Sequence, residues 1–319
     1  MNCIICNNND NNQTIKIKEL QLGLGDEFNY QLCGQCGSMQ LLNPPADFSK
    51  YYPNEDYYSF KLEMKELKPP GYLRTSKTKH LLFGEKNLVG SLLSIGYKEP
   101  DFYGWMRDSH AKLNDAILDV GCGNRSLLTR LHKMGFTDLT GIDPFIDEGH
   151  DYGAIRIFKK EIYDLQQKFD VIMMHHSLEH MFEPLKALKR SWSLLNDDGY
   201  LLIRIPIMGN YGWQKYKTCW CGIDAPRHIF IPSEKGMIML AEQAGFIVDK
   251  FEYDSSDYVI WSSEQYLRGI PLHASNSRMV SKKNSVFSEA EIKEFQKKIS
   301  AENKKNNGDT AAFYLKKKS

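Results

Sequence analysis

Four cysteines in two pairs are the residues whose type and spacing imply chemistry most directly. Cys3-Ile4-Ile5-Cys6 and Cys33-Gly34-Gln35-Cys36 are C-x2-C pairs with 26 residues between them. Each pair makes a tight knuckle that turns two thiolates toward one ion, and two knuckles close a tetrahedral sulfur site. Gly34 and Gly37 give the second knuckle its backbone freedom. The gap is long for a zinc motif. It holds an Asn-rich turn and the short alternating runs Ile15-Lys16-Ile17 and Tyr30-Gln31-Leu32, which suit the strands of a zinc ribbon. The expectation is a structural Zn2+ on Cys3, Cys6, Cys33 and Cys36, because a redox C-x-x-C has no need of a second pair. A filled four-thiolate site has no open position, so catalysis by this metal is not expected.

A second stretch, Ala116-Ile117-Leu118-Asp119-Val120-Gly121-Cys122-Gly123-Asn124, reads as a buried strand running into a glycine turn. Leu127, Leu128, Leu131 and Met134 then recur on one helical face. A strand, a glycine turn and a helix bring backbone N–H groups close to a nucleotide, and the glycines remove the Cβ atoms that would block the approach.

The elements that position these groups follow from pattern. The 319 residues allow one large domain plus a small one. The 42% hydrophobic and 25% charged residues are those of a globular chain. A formal net charge of +1 argues against a general nucleic-acid or membrane-surface binder. No apolar run reaches about 18 residues, so no membrane span is expected. The first residues lack the pattern of a signal peptide, and seven cysteines, four of them in C-x-x-C pairs, suit a reducing cytoplasm.

In chain order, the expected units are a ribbon over 1–45, a connector over 46–110 and an α/β domain over 111–319. In the connector, Tyr51, Tyr52, Tyr57, Tyr58 and Phe60 cluster beside Pro53, either as an aromatic plug between ribbon and domain or as a lid over substrate. One helix is expected from Leu73 to Leu93 and another from Phe102 to Leu113. From Ala116, strands at 117–120, 139–143, 154–158, 169–174 and 200–205 alternate with helices, and Asn196-Asp197-Asp198-Gly199 reads as a turn. This is a doubly wound parallel sheet. Residues 207–232 are an irregular aromatic insertion. Helix 233–244, strand 246–253, an amphipathic helix near 288–304 and a last strand from Thr310 complete the pattern.

Leu118-Asp119-Val120-Gly121-Cys122-Gly123, Gly141-Ile142-Asp143 and Phe169-Asp170-Val171-Ile172 together resemble class I S-adenosylmethionine-dependent methyltransferases. The resemblance covers residues 100–319. His176-Ser177-Leu178-Glu179-His180 before Pro184, the Trp220-x-Gly222-x-Asp224-x-Pro226-Arg227-His228 segment and the N-terminal cysteine ribbon resemble a bacterial small-molecule branch of that family, found in polysaccharide and secondary-metabolite pathways. The resemblance implies a Rossmann-like, seven-stranded sheet whose last strand is antiparallel. It implies S-adenosylmethionine as cofactor. Asp143 is then placed to accept from the ribose hydroxyls, with helix capping as its alternative role. Gly121 and Gly123 make room for the amino acid end, Asp119 is linked to the same region, and Glu161 and Ile162 face the adenine, with a surface acid as the alternative for Glu161. The family's third glycine is replaced by Arg125, whose side chain is expected to point outward or to pair with the cofactor carboxylate.

Methyl transfer needs an in-line acceptor and, for a hydroxyl, a proton acceptor. His176, just past the fourth strand, and His228, closing the insertion, are the two expected bases; each could instead fasten a loop. Arg227, Trp220 and Tyr211 are expected to touch substrate, with an Arg227–Asp224 pair as the structural alternative for the arginine and a simple hydrophobic lid as the alternative for the aromatics. His180 reads as a cap, His175 as a residue that strand alternation aims elsewhere, and Cys219 and Cys221 as buried small residues. The acceptor implied is a small polar molecule, such as a nucleotide- or lipid-linked sugar of surface polysaccharide. An RNA methyltransferase that holds RNA on the ribbon and a non-catalytic binding module are the rivals.

Overall fold

The computed structural model describes residues 1–52 and 67–318. Pro53, Tyr57, Tyr58 and Phe60 therefore lie outside the described residues. The chain opens with β1 (Gln13–Lys18), β2 (Glu27–Leu32) and β3 (Met39–Leu41), an antiparallel meander. Helices α1 (Tyr72–Phe83), α2 (Leu88–Ser94) and α3 (Asp101–Asp108) follow. The alternating region comprises β4 (Ala116–Val120), α4 (Ser126–Met134), β5 (Asp138–Ile142), the short β6 (His150–Asp151), β7 (Ile155–Phe158), β8 (Phe169–His175), α5 (Pro184–Leu194) and β9 (Leu195–Pro206). Then come α6 (Tyr211–Tyr216), β10 (Phe230–Ile231), α7 (Glu234–Gln243), β11 (Phe246–Tyr253), α8 (Tyr258–Leu267), α9 (Glu289–Lys304) and β12 (Thr310–Lys317).

The large sheet has the order β11-β12-β9-β8-β4-β5-β7-β6. Strands β9, β8, β4, β5 and β7 are parallel neighbours, while β12 runs antiparallel to both β9 and β11. This is the expected Rossmann-like methyltransferase sheet, with β6 added at one edge as an antiparallel hairpin partner of β7. Alternation along each strand divides the core. Leu118, Ile172, Met174, Leu201 and Ile203 face α5 and α7, whereas Ile117, Val171, Met173 and Leu202 face α3 and α4. A third core holds β1–β3 against α6, α8 and α9. Among the described residues no helix is long and apolar enough to cross a membrane.

Local chemistry sets the helix limits. Ser288 and Glu291 form a reciprocal capping box at the start of α9. The single helix expected over 73–93 is divided, because Gly84 takes a left-handed φ of 64° and closes α1, and Asn87 then caps Gly90 N–H to begin α2. The turn expected at Asn196–Gly199 is absorbed into β9. Leu195 pairs with Phe169 and Tyr200 with Val171, so a register shift takes up the extra residues and pairing overrides the turn composition.

The ribbon is built into the main body. Strand β10 leaves the insertion and pairs with β3 as the fourth strand of the small sheet. Ser233, which caps α7, donates from Oγ to Cys36 O at 2.5 Å and from N–H to Ser38 Oγ at 3.0 Å. Gln243 reaches Ile5 O at 2.8 Å. Cys3, Ile5, Cys33 and Cys36 share the core of α7 and β9.

Candidate functional site

The four cysteine sulfurs converge next to this joint, in which Cys36 takes part through its carbonyl. Cys3 Sγ lies 3.6 Å from Cys36 Sγ and Cys6 Sγ 3.5 Å from Cys33 Sγ, and all four fall within 4.8 Å of one another. Zn–S bonds of about 2.3 Å in a tetrahedron put the sulfurs roughly 3.8 Å apart, so this set fits a zinc ion. All seven cysteines are unbridged.

A cavity of about 1110 Å3 opens at the carboxyl edge of the parallel strands. At one end stand Gly121, Gly123, Asp143, Phe145, Glu161 and Ile162. The Asp143 carboxylate accepts from Gly123 N–H at 3.0 Å and from Phe145 N–H at 2.9 Å. Burial pushes its pKa up, and the two backbone donors partly offset that. Glu161 lines the same end and also forms a capping box with Asp164. Asp119 is buried beneath the turn and does not line the cavity. These residues fit an adenosyl cofactor: a short acid at the end of β5, a turn with glycine at 121 and 123, and an apolar wall at Ile162.

Gly121 has a φ of 77°, and a Cβ placed on it would lie 2.7 Å from Ser177 Cβ. Both facts oppose any side chain. Gly121→Ala is expected to cost about 1–3 kcal/mol of stability and to weaken adenosylmethionine binding; urea unfolding and calorimetry measure the two effects.

Arg125 departs from both expected positions. It takes the left-handed conformation that favours glycine, φ 59°, yet its side chain neither points to solvent nor lines the cavity. It is buried, its guanidinium 4.2 Å over the Tyr152 ring and donating to Thr129 Oγ1 at 2.9 Å.

Burial, and then the charge of Asp143, push the Asp119 pKa up to about 7. Between its ordinary value and about 7, only the folded chain holds this proton. Its stabilisation is therefore present at low pH and lost as pH rises through about 7. Relative to the wild type, Asp119→Asn without ligand is expected to gain about 1–3 kcal/mol on moving from pH 5 to pH 8. Urea unfolding at both pH values tests this, and a gap that did not change with pH would refute it.

The other end of the cavity holds the histidines. His176 leaves β8 with a φ of 52°, lines the cavity and is half exposed. Its Nδ1–H donates to Glu179 Oε1 at 3.2 Å, which leaves Nε2 free to accept a proton. His228 lines the cavity and donates from Nδ1 to Gly222 O at 2.9 Å, which leaves Nε2 with its lone pair. Burial, and then the neighbouring His180, push its pKa down to about 4, so the ring is neutral at pH 7. His180 lies against His228 with ring centroids 4.8 Å apart, and Tyr52, stacked on Phe145, puts its hydroxyl 3.4 Å from His180 Nδ1.

Two of the expected substrate contacts move. Arg227 is wholly buried and off the cavity wall. It pairs with Asp224 through Nη2 and, at 3.0 Å, through Nε; it donates to Tyr51 O at 2.8 Å and lies 3.7 Å from Glu19. It clamps the insertion, which was its structural alternative. Tyr211 is buried against Tyr216 in the ribbon-side core, because α8 and α9 cover it. Trp220 borders the cavity but is buried, with Gly212 and Gly222 packed against its indole, so it presents no free face to substrate.

Sequence reasoning missed Glu179, His175, His180 and Asp309. Glu179 and His180 stood inside the His176–His180 segment, where their proximity to His228, 49 and 48 positions on, was invisible. His175 keeps the Val171 and Met173 face of β8, its ring centroid 4.4 Å from that of Trp105 in α3, and also lines the cavity, which opens over the end of β8. Asp309 opens β12 at the same edge, and burial pushes its pKa up to about 7.

Fold and site together define a methyltransferase. Residues 75–250 match the family model of the methyltransferase domain. The match covers more than half of the chain, and the chain belongs to that family. It is 29% identical to ubiquinone biosynthesis O-methyltransferase of Azorhizobium caulinodans over 98 residues, 27% of this chain and 38% of that one. Over another 98-residue match, 27% of this chain and 34% of the relative, it is 31% identical to tRNA U34 carboxymethyltransferase of Campylobacter hominis. The chain spans less than two fifths of the length of these curated relatives. Among solved structures it is similar to mycolic acid cyclopropane synthase complexed with SAH and CTAB, with a TM-score of 0.46, 13% identity and coverage of 78% of this chain and 99% of that one.

Proposed function

We propose that the protein transfers a methyl group from S-adenosylmethionine to a small polar acceptor, with a nucleotide- or lipid-linked sugar as the first class to test. The observation that carries this reading is one continuous cavity, which joins the Gly121–Gly123 turn and Asp143 to His176, His180 and His228. The bound cofactor supplies an electrophilic methyl carbon on a sulfonium. Asp143 accepts from the ribose hydroxyls, and Glu161 and Ile162 hold the adenine. His176 takes the acceptor proton on Nε2, because Glu179 fixes the other nitrogen as N–H. His228 lines the same end and orients the acceptor, because burial lowers its pKa to about 4 and makes it a weak base. The ribbon carries a structural zinc that secures the insertion.

Calorimetry with adenosylmethionine tests the cofactor, and adenosylhomocysteine release over a panel of nucleotide sugars and tRNA tests the acceptor. On the true acceptor, His176→Ala is expected to lower kcat by about 10²–10⁴. Full rate in both His176→Ala and His228→Ala would remove both assignments. Release that appeared only with tRNA, and fell with salt, would favour the RNA reading over the sugar.

A further inference from the structure

Beside the acceptor end of the cavity lies a cluster of side chains whose convergence proton transfer to His176 does not explain. One donor atom from each of Glu179, His180 and His228 lies within 4.8 Å of the others. Glu179 is wholly buried; its Oε1 serves His176, and its Oε2 has no hydrogen-bond partner among the described residues. A buried carboxylate oxygen without a donor is costly and calls for a partner. Both histidines give Nδ1 to a backbone carbonyl, His180 to Arg227 O at 2.9 Å and His228 to Gly222 O at 2.9 Å. That arrangement fixes the tautomer with Nε2 unprotonated, as metal-ligating histidines require. His228 Nε2 lies 4.0 Å from Glu179 Oε1 and 3.8 Å from Asp224 Oδ2. The Asp224 charge is already answered by Arg227. His180 and His228 line the cavity, so the set is open on one side.

We propose that Glu179, His180 and His228 bind a divalent transition ion of the Zn2+ or Fe2+ kind, separate from the ribbon zinc. Two imidazoles, one carboxylate and an open side are the donor set of a catalytic rather than a structural site. Its role rests on the transfer reading above: the ion holds the acceptor hydroxyl and lowers its pKa. The O–H bond breaks with the proton passing to His176 Nε2. The oxygen keeps the electron pair and forms the bond to the methyl carbon, while the C–S pair stays on sulfur.

The test is a Co2+ titration of untagged full-length protein that carries zinc on its four cysteines. Wild type is expected to take a second ion per chain, with ligand-field bands that lack thiolate charge transfer. Glu179→Gln is expected to bind this ion at least tenfold more weakly. His180→Asn guards against a folding defect in that variant, and circular dichroism checks both. A wild type that stays at one metal per chain with saturating Co2+, Zn2+ and Fe2+ would overturn the proposal, as would a second ion retained unchanged in both variants. Adenosylmethionine binding is measured separately. A second ion without cofactor binding would leave the metal site standing and remove the transfer reading; cofactor binding without a second ion would do the reverse.

Discussion

Cys33→Ser, or removal of the metal with a chelator, is expected to destabilise the whole chain by at least about 3 kcal/mol, well beyond a local loosening of the ribbon. Structural zinc sites contribute their binding energy to folding, about 10–16 kcal/mol in isolated fingers. Here the energy does not stay in the ribbon. Cys36 O holds the Ser233 hydroxyl that caps α7, Ser38 holds the Ser233 N–H, and β3 pairs with β10. Cys3, Ile5, Cys33 and Cys36 pack into the core that includes Leu240, Ile203 and Leu118. Losing the metal therefore removes a helix cap and exposes part of the core beneath α7. Urea unfolding with zinc content measured in parallel checks this. A midpoint that does not move after the zinc is gone would show that the ribbon is an appendage.

Arg227→Met is expected to cost about 3–5 kcal/mol, the cost of breaking a buried ion pair from one side. Burial raises the Asp224 pKa, yet the Arg227 charge outweighs it and holds the carboxyl below its ordinary value. Without the guanidinium, Asp224 keeps its burial and loses the compensation, and Glu19 loses its nearest cation. Tyr51 O also loses its donor. Because Asp224 would then favour its protonated form, the deficit is expected to shrink as pH falls toward 4. Arg227→Met with Asp224→Asn should recover part of the loss; a double variant no better than the single one would assign the energy to packing instead. Equilibrium unfolding at pH 7 and pH 4.5 supplies both comparisons.

Much of the parallel sheet was legible because strands buried on both faces read as apolar runs ending in glycine, Asp143 or His176. The cysteine set was legible because its spacing is its chemistry. Tyr211 was not, because its burial depends on α8 and α9, which lie 47 or more positions further along the chain. Strand β10 was invisible because two residues, Phe230 and Ile231, carry no period; only the partner strand 190 positions earlier makes them a strand. For Arg227 the i,i+3 carboxylate was visible in the sequence. What was not visible was the absence of a path from its guanidinium to the cavity. Arg125 shows the reverse case: a missing glycine marked a real peculiarity, but the ring of Tyr152 that receives the side chain lies 27 residues on.

The joint between β3 and β10 also fixes an order of events during synthesis. Ser233 and Cys36 are 197 positions apart, so the small sheet closes only after most of the chain has been made. Until then β3 presents an open edge, and the interval in which it is exposed grows with every slow step of translation. Pairs so distant in sequence form late and slow the approach to the native state. An early ion on the cysteine pairs would hold the first three strands in register through that wait, which makes metal supply during translation a determinant of yield as well as of stability.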